Sequence, residues 1–116
     1  MGLFNGRKYN ATHFTLHGDG SIPKEVVNGL INRTIEVFAA HNCIIDNGTE
    51  KKKEGWLEYK LIGGGNITFI MMNPNSLDIT SDSPLSKTEF SNVVREIEQY
   101  PRSLGWLPGK DYWGLN

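Results

Sequence analysis

The chain has 116 residues, of which 38% are hydrophobic and 22% are charged, and its formal net charge is −1. This length predicts one domain with a single core, and the composition is typical of a soluble globular protein. The near-zero net charge argues against a nucleic-acid partner, because phosphate binding normally needs a clustered excess of Lys and Arg.

Neither a membrane span nor a secretion signal is recognisable in the sequence. No apolar run approaches the roughly 18 residues that a membrane span requires. Residues 1–8 lack the apolar core of a signal peptide. Cys43 is the single cysteine, which excludes an intramolecular disulfide. These features predict a cytoplasmic protein without membrane contact.

The N-terminal part predicts a leader and one strand. Residues 1–10 are polar and are expected to form a flexible leader. The alternation in residues 12–17 predicts a strand whose Phe14 and Leu16 face the core. Gly18-Asp19-Gly20 is expected to end this strand.

A helix is predicted from about Pro23 to His41, with Ser21 or Ile22 as its cap. Its apolar stripe comprises Val27, Leu30, Ile31, Thr34, Ile35 and Phe38. Residues 43–45 then predict a short strand, and residues 46–49 a hairpin turn. The Lys51-Lys52-Lys53 run is interpreted as a solvated loop or as protection of a sheet edge, rather than as a contact site.

Residues 54–80 predict a three-stranded antiparallel meander around which the chain is organised. Gly63-Gly64-Gly65 and Asn73-Pro74-Asn75 are its turns, and the apolar run from Ile67 to Met72 is its middle strand. The period of two assigns one buried face to Leu57, Tyr59, Leu61, Ile67, Phe69, Met71, Leu77 and Ile79.

The second helix begins with the most specific local signal in the sequence. Ser86 and Glu89 match a capping box, and Leu85 and Phe90 occupy the flanking staple positions. Pro101 is expected to end this helix. The buried face is predicted to comprise Phe90, Val93, Val94, Ile97 and Tyr100. Residues 102–116 are too apolar for a disordered terminus and predict a docked tail.

The predicted fold is therefore α+β. An antiparallel sheet of four to five strands carries two helices on one face, in the order β-α-β-β-β-β-α, and is followed by the aromatic C-terminal tail. This element order is similar to that of the TATA-binding-protein domain. The resemblance is one of element order alone and implies no function.

Sequence motifs for catalysis, a cofactor or a metal are absent. His13 and His17 lie on the same strand face but roughly 13 Å apart, too far to share one ion unaided. His41 and Cys43 are interpreted as a helix end with a buried thiol, because a structural zinc site needs about four ligands. A weak anion-binding signal occurs in a strand-to-helix turn; its candidate residues are His17, Gly18, Gly20, Ser21 and Lys24.

The second face of the meander predicts a recognition surface. Trp56, Ile62, Ile70 and Met72 are expected there beside polar groups that include Glu58 and Lys60. Either this face contacts a partner or the C-terminal tail covers it. The candidate protein-binding residues are Trp56, Lys60, Ile70, Met72, Trp106, Tyr112 and Trp113.

Two functions from different classes are consistent with these features. The first is a non-catalytic protein that binds another protein or its own copy, as inhibitors, immunity factors and phage or mobile-element accessory proteins do. The alternative is a protein that binds or sequesters a nucleotide or another small anion. A hydrolytic enzyme ranks third, because His13, His17, Asp19 and Glu58 are available acids and bases that no motif assembles.

Overall fold

The structure, a computed structural model, describes residues 10–18 and 20–103, except for the side chain of Phe14. The predicted element order β-α-β-β-β-β-α is confirmed. The elements are β1 (Asn10–His17), α1 (Lys24–Ala40), β2 (Lys51–Lys53), β3 (Trp56–Lys60), β4 (Asn66–Asn73), β5 (Ser76–Ser83) and α2 (Lys87–Ser103). Most of the predicted leader, Asp19 and residues 104–116 of the predicted tail lie outside the described residues.

The strands form one antiparallel sheet with the order β1-β5-β4-β3-β2. The predicted meander is β3-β4-β5, and β4 is its middle strand. β1 pairs with β5 along its whole length, from Asn10 opposite Ser83 to His17 opposite Ser76. The two helices lie on one face of this sheet, so the α+β fold class is confirmed.

The predicted core face of the meander is also confirmed. Leu61, Ile67, Phe69, Leu77 and Ile79 are buried there. Leu57, Tyr59 and Met71 are partly buried and pack against the same cluster. The helices contribute a second buried layer; its members are Val26, Leu30, Val37, Phe38, Phe90, Val93, Val94 and Ile97. Burial of these apolar side chains is the main driving force that holds both helices on the sheet.

α1 begins later than predicted. Its N-cap is Pro23, with φ −57° and ψ 144°, so the chain is still extended there and becomes helical only at Lys24. Ile22, one of the two predicted caps, is instead a core residue with 5% exposure. The predicted cap is wrong because the apolar side chain of Ile22 packs in the core. No side chain caps the helix.

The strand that follows α1 is displaced from its predicted position. Residues 43–45 make only one isolated bridge, between Ile45 and Leu61. Cys43 is buried and donates its amide to Phe38 O at 2.8 Å, so this segment begins by completing the helix end and meets the sheet beside Leu61 without forming a regular strand. The strand is formed by Lys51–Lys53, at the outer edge of the sheet. Three exposed lysines discourage pairing of this edge with another chain, as the sequence suggested.

The phenol of Tyr59 links β3 to the chain that leads into β2. It donates a hydrogen bond of 2.9 Å to the carboxylate of Glu50. Partial burial, followed by this hydrogen bond and the charge of Glu50, raises the pKa of Tyr59 above its ordinary value. Since the folded pKa is the higher one, this contribution to stability is present below the unfolded pKa of about 10 and is lost as the pH rises above it.

α2 begins with the predicted capping box. The Ser86 amide donates to Glu89 Oε1 and the Glu89 amide donates to Ser86 Oγ, both at 3.1 Å. Leu85 and Phe90 are both buried, as expected for the hydrophobic staple. Pro101 does not end the helix, which continues to Ser103. Its ring is fully buried, and this packing offsets the backbone hydrogen bond that proline cannot donate.

Replacement of Ser86 tests the importance of the capping box. We expect Ser86→Ala to lower the free energy of unfolding by about 1 kcal/mol, because the Glu89 amide loses its acceptor. Urea denaturation followed by circular dichroism measures the change. Thr88→Ala, at an exposed position in the first turn of the same helix, is the matched control and should change stability by less than about 0.5 kcal/mol. Equal effects of the two substitutions would contradict the role of the box.

Candidate functional site: the outer sheet face

The sheet has one face that the helices do not cover, here called the outer face. The strand register sets its side chains in three rows that run across the sheet. The first row is Thr15, Asp78, Ile70, Trp56 and Lys53; the second is His13, Thr80, Thr68, Glu58 and Lys51; the third is Ala11, Asp82, Asn66 and Lys60. On β1, β3, β4 and β5, the period of two places these residues on the face opposite to the side chains that pack in or against the core.

The apolar centre of the outer face is a cross-strand pair. Trp56 on β3 lies directly opposite Ile70 on β4, and both side chains are partly exposed. Neither belongs to the core cluster. Lys53 on β2 lies directly opposite Trp56, with its ammonium nitrogen 5.3 Å from the centroid of the indole ring. This cation–π contact holds a positive charge at the edge of the apolar pair.

Met72 and Ile62 are exposed, as expected, but they lie at opposite ends of the sheet. Met72 is 80% exposed and stands in the irregular end of β4, where the neighbouring Met71 amide donates to Gly55 O at 2.8 Å. Ile62 is 60% exposed and follows β3, where its amide donates to Ile44 O. Only Met72 is therefore near the Trp56 end of β3.

Charge is unevenly distributed over the outer face. Lys51, Lys53 and Lys60 lie toward the β2 and β3 edge. Asp78 and Asp82 lie on β5, on the far side of the central strand. The apolar pair therefore lies between a basic edge and an acidic strand. Lys60 is exposed and Glu58 is partly exposed.

His13, Thr15 and Asp78 form a small polar cluster that the sequence did not predict. Thr15 Oγ1 donates to Asp78 Oδ1 at 2.5 Å, and His13 Nε2 lies 3.2 Å from Thr15 Oγ1 and 3.8 Å from Asp78 Oδ1. The hydrogen bond between Thr15 and Asp78 joins β1 to β5.

The predicted anion-binding turn uses two of its amides within the fold. Gly18 donates its amide to Asn75 O and Ile22 donates to Pro74 O, both at 2.8 Å. Gly20, Ser21 and Lys24 are exposed around these bonds. The binding of an anion by this turn stays a prediction, and these two amides are not available for it.

His41 and Cys43 are close in sequence but make unrelated contacts. His41 Nε2 is 2.9 Å from Glu96 Oε2 on α2, while Cys43 is buried at the end of α1. Within residues 10–18 and 20–103, no group of three or more His, Cys, Asp or Glu side chains is arranged to hold a metal ion. Trp106, Tyr112 and Trp113 lie outside the described residues.

Neither helix of the described chain is long and apolar enough to cross a membrane. Comparison of the chain with protein-family models and with curated proteins gives no match. Any function proposed for this chain therefore rests on the geometry of the described residues.

Proposed function

We propose that this chain is a non-catalytic binding protein whose outer face engages another protein. The observation that carries the proposal is the Trp56–Ile70 pair, which lies on the helix-free face between charged groups. An apolar centre surrounded by a polar rim is the usual anatomy of a protein interface. Tryptophan is also among the residues that most often dominate interface energies.

The charge pattern defines the kind of partner that fits. A complementary surface carries an apolar side chain over Trp56 and Ile70. It presents carboxylates to Lys51 and Lys53, and a basic group to Asp78. Because β2 and β5 carry charges of opposite sign, this pattern also selects one orientation of the partner.

Ile70→Ser is the substitution that tests the proposed contact. We expect it to raise the Kd for a partner isolated from the source cell by roughly 30-fold or more, because a central contact is worth about 2 kcal/mol. Ile62→Ser removes the same side chain at the far end of the sheet and is the matched control. Isothermal titration calorimetry measures both affinities after circular dichroism has shown that each variant is folded.

The two isoleucine variants together show whether the outer face is the binding interface. A Kd that rises for Ile70→Ser and stays within about twofold for Ile62→Ser supports the outer face as the interface. Equal binding by the wild type and Ile70→Ser would overturn the proposal. If the isolated partner is a second copy of the chain, sedimentation equilibrium replaces calorimetry with the same two variants.

A further inference from the structure

A second candidate site lies beside the outer face, in a cleft between α1 and the β2–β3 hairpin. Its volume is about 460 Å³, within the range of about 300–1,000 Å³ that is common for small-molecule sites. Asn28 and Asn32 of α1 form one wall, and Lys52 and Lys53 form the other. Ile31 and Leu57 contribute apolar surface to the interior.

The described part of the cleft lining is positively charged, in a chain whose net charge is −1. Among residues 10–18 and 20–103, its lining includes two lysines and no carboxylate, and the Lys53 ammonium lies over the Trp56 ring. Lys52 lies opposite Leu57 in the register, so no acidic residue faces it across the strands, whereas the adjacent Lys51 lies opposite Glu58 on the outer face. The cleft between α1 and α2 differs, since Arg33 there is paired with Glu36 at 3.7 Å.

The opposite wall offers neutral hydrogen-bonding groups. Asn28 and Asn32 are one helical turn apart on α1, so their side chains emerge on the same side, and both are exposed. Each side-chain amide can donate and accept hydrogen bonds at once. An asparagine can bind the edge of an adenine ring in this way.

From this combination we infer that the cleft binds a free mononucleotide. Its phosphate binds the ammonium group of Lys52, whose side chain leaves β2 on the face opposite to that of Lys53, and lysine is a common phosphate ligand. The base packs on Ile31 and Leu57 and presents its polar edge to Asn28 and Asn32. This site is distinct from the anion-binding turn predicted from the sequence, and it does not depend on the outer face binding a protein.

Adenosine 5′-monophosphate is the probe, and the adjacent lysines Lys51 and Lys52 provide matched variants. We expect Lys52→Ala to raise the Kd of this nucleotide at least about tenfold, while Lys51→Ala changes it by less than about threefold. Asn32→Ala should weaken binding of the nucleotide and leave binding of ribose 5-phosphate unchanged. Isothermal titration calorimetry on the full chain measures each Kd, and circular dichroism checks that each variant is folded.

Two fragments of the probe, adenosine and inorganic phosphate, separate the contribution of the base from that of the phosphate. We expect adenosine and inorganic phosphate each to bind at least about tenfold more weakly than the nucleotide. Failure of the nucleotide to bind at millimolar concentration would overturn it. So would equal losses in Lys51→Ala and Lys52→Ala, which indicate attraction by general charge, or equal binding of phosphate and nucleotide, which indicates that the base is not recognised.

Discussion

Phe38→Ala is expected to lower the free energy of unfolding by about 3–5 kcal/mol. Phe38 is 0% exposed and Phe90 is 1% exposed. Their rings meet edge to face, with centroids 6.4 Å apart and an interplanar angle of 71°, and so join α1 to α2. Removal of one ring leaves a cavity at the contact between the helices. Urea denaturation followed by circular dichroism measures the loss.

Phe38→Leu is the control for this substitution. It keeps most of the apolar volume and should cost clearly less than Phe38→Ala. A double-mutant cycle with Phe90→Ala should show coupling of about 0.5–1.5 kcal/mol, because the two rings are in contact. A cost below about 1 kcal/mol for Phe38→Ala would contradict the central position of this ring.

Gly65→Ala is expected to cost about 3 kcal/mol or more, through backbone strain and a steric clash together. Gly65 has φ +96°, a conformation that residues with a Cβ rarely adopt. A Cβ at this position would also collide with the backbone oxygen of Asp82 on β5. Because backbone cannot move aside as a flexible side chain can, the turn between β3 and β4 must distort. Thermal and urea unfolding measure the effect.

Gly48→Ala separates the effect of backbone strain from that of the steric clash. Gly48 has a similar φ of +88°, but nothing lies within 4 Å of the Cβ it would gain. It should therefore show only the strain, about 1 kcal/mol. If Gly65→Ala were no more destabilising than Gly48→Ala, the close approach of the glycine turn to β5 would be wrong.

Sequence reasoning succeeded where the signal was local. The capping box at Ser86 and Glu89 is fixed by residues three apart, and the meander follows from the alternation of residues within each strand. It failed where tertiary contacts decide. Residues 43–45 have strong strand propensity, yet burial of Cys43 beside α1 leaves the sheet edge to Lys51–Lys53.

The candidate sites show the same difference between local signals, which the sequence reveals, and tertiary contacts, which it does not. The alternation in β3 and β4 was enough to place Trp56 and Ile70 on one face. The cluster of His13, Thr15 and Asp78 could not be found, because it depends on the pairing of β1 with β5 across more than 60 residues. The nucleotide cleft was missed for the same reason, since it joins α1 to a hairpin distant in sequence.

The outer face and the cleft share the β2–β3 hairpin, which affects the choice of variants. Trp56 lies on the outer face and also contributes to the lining of the cleft. A change at Trp56 would therefore disturb both proposed activities. Ile70 and Lys52 each belong to only one of them, and they separate protein binding from nucleotide binding.

The most direct test of the protein-binding proposal is native mass spectrometry of the chain recovered gently from a lysate of its source cell. We expect a heteromeric mass for the wild type and for Ile62→Ser, and the mass of the free chain for Ile70→Ser. A mass equal to one chain in all three samples, or a heteromer that survives Ile70→Ser, would contradict it.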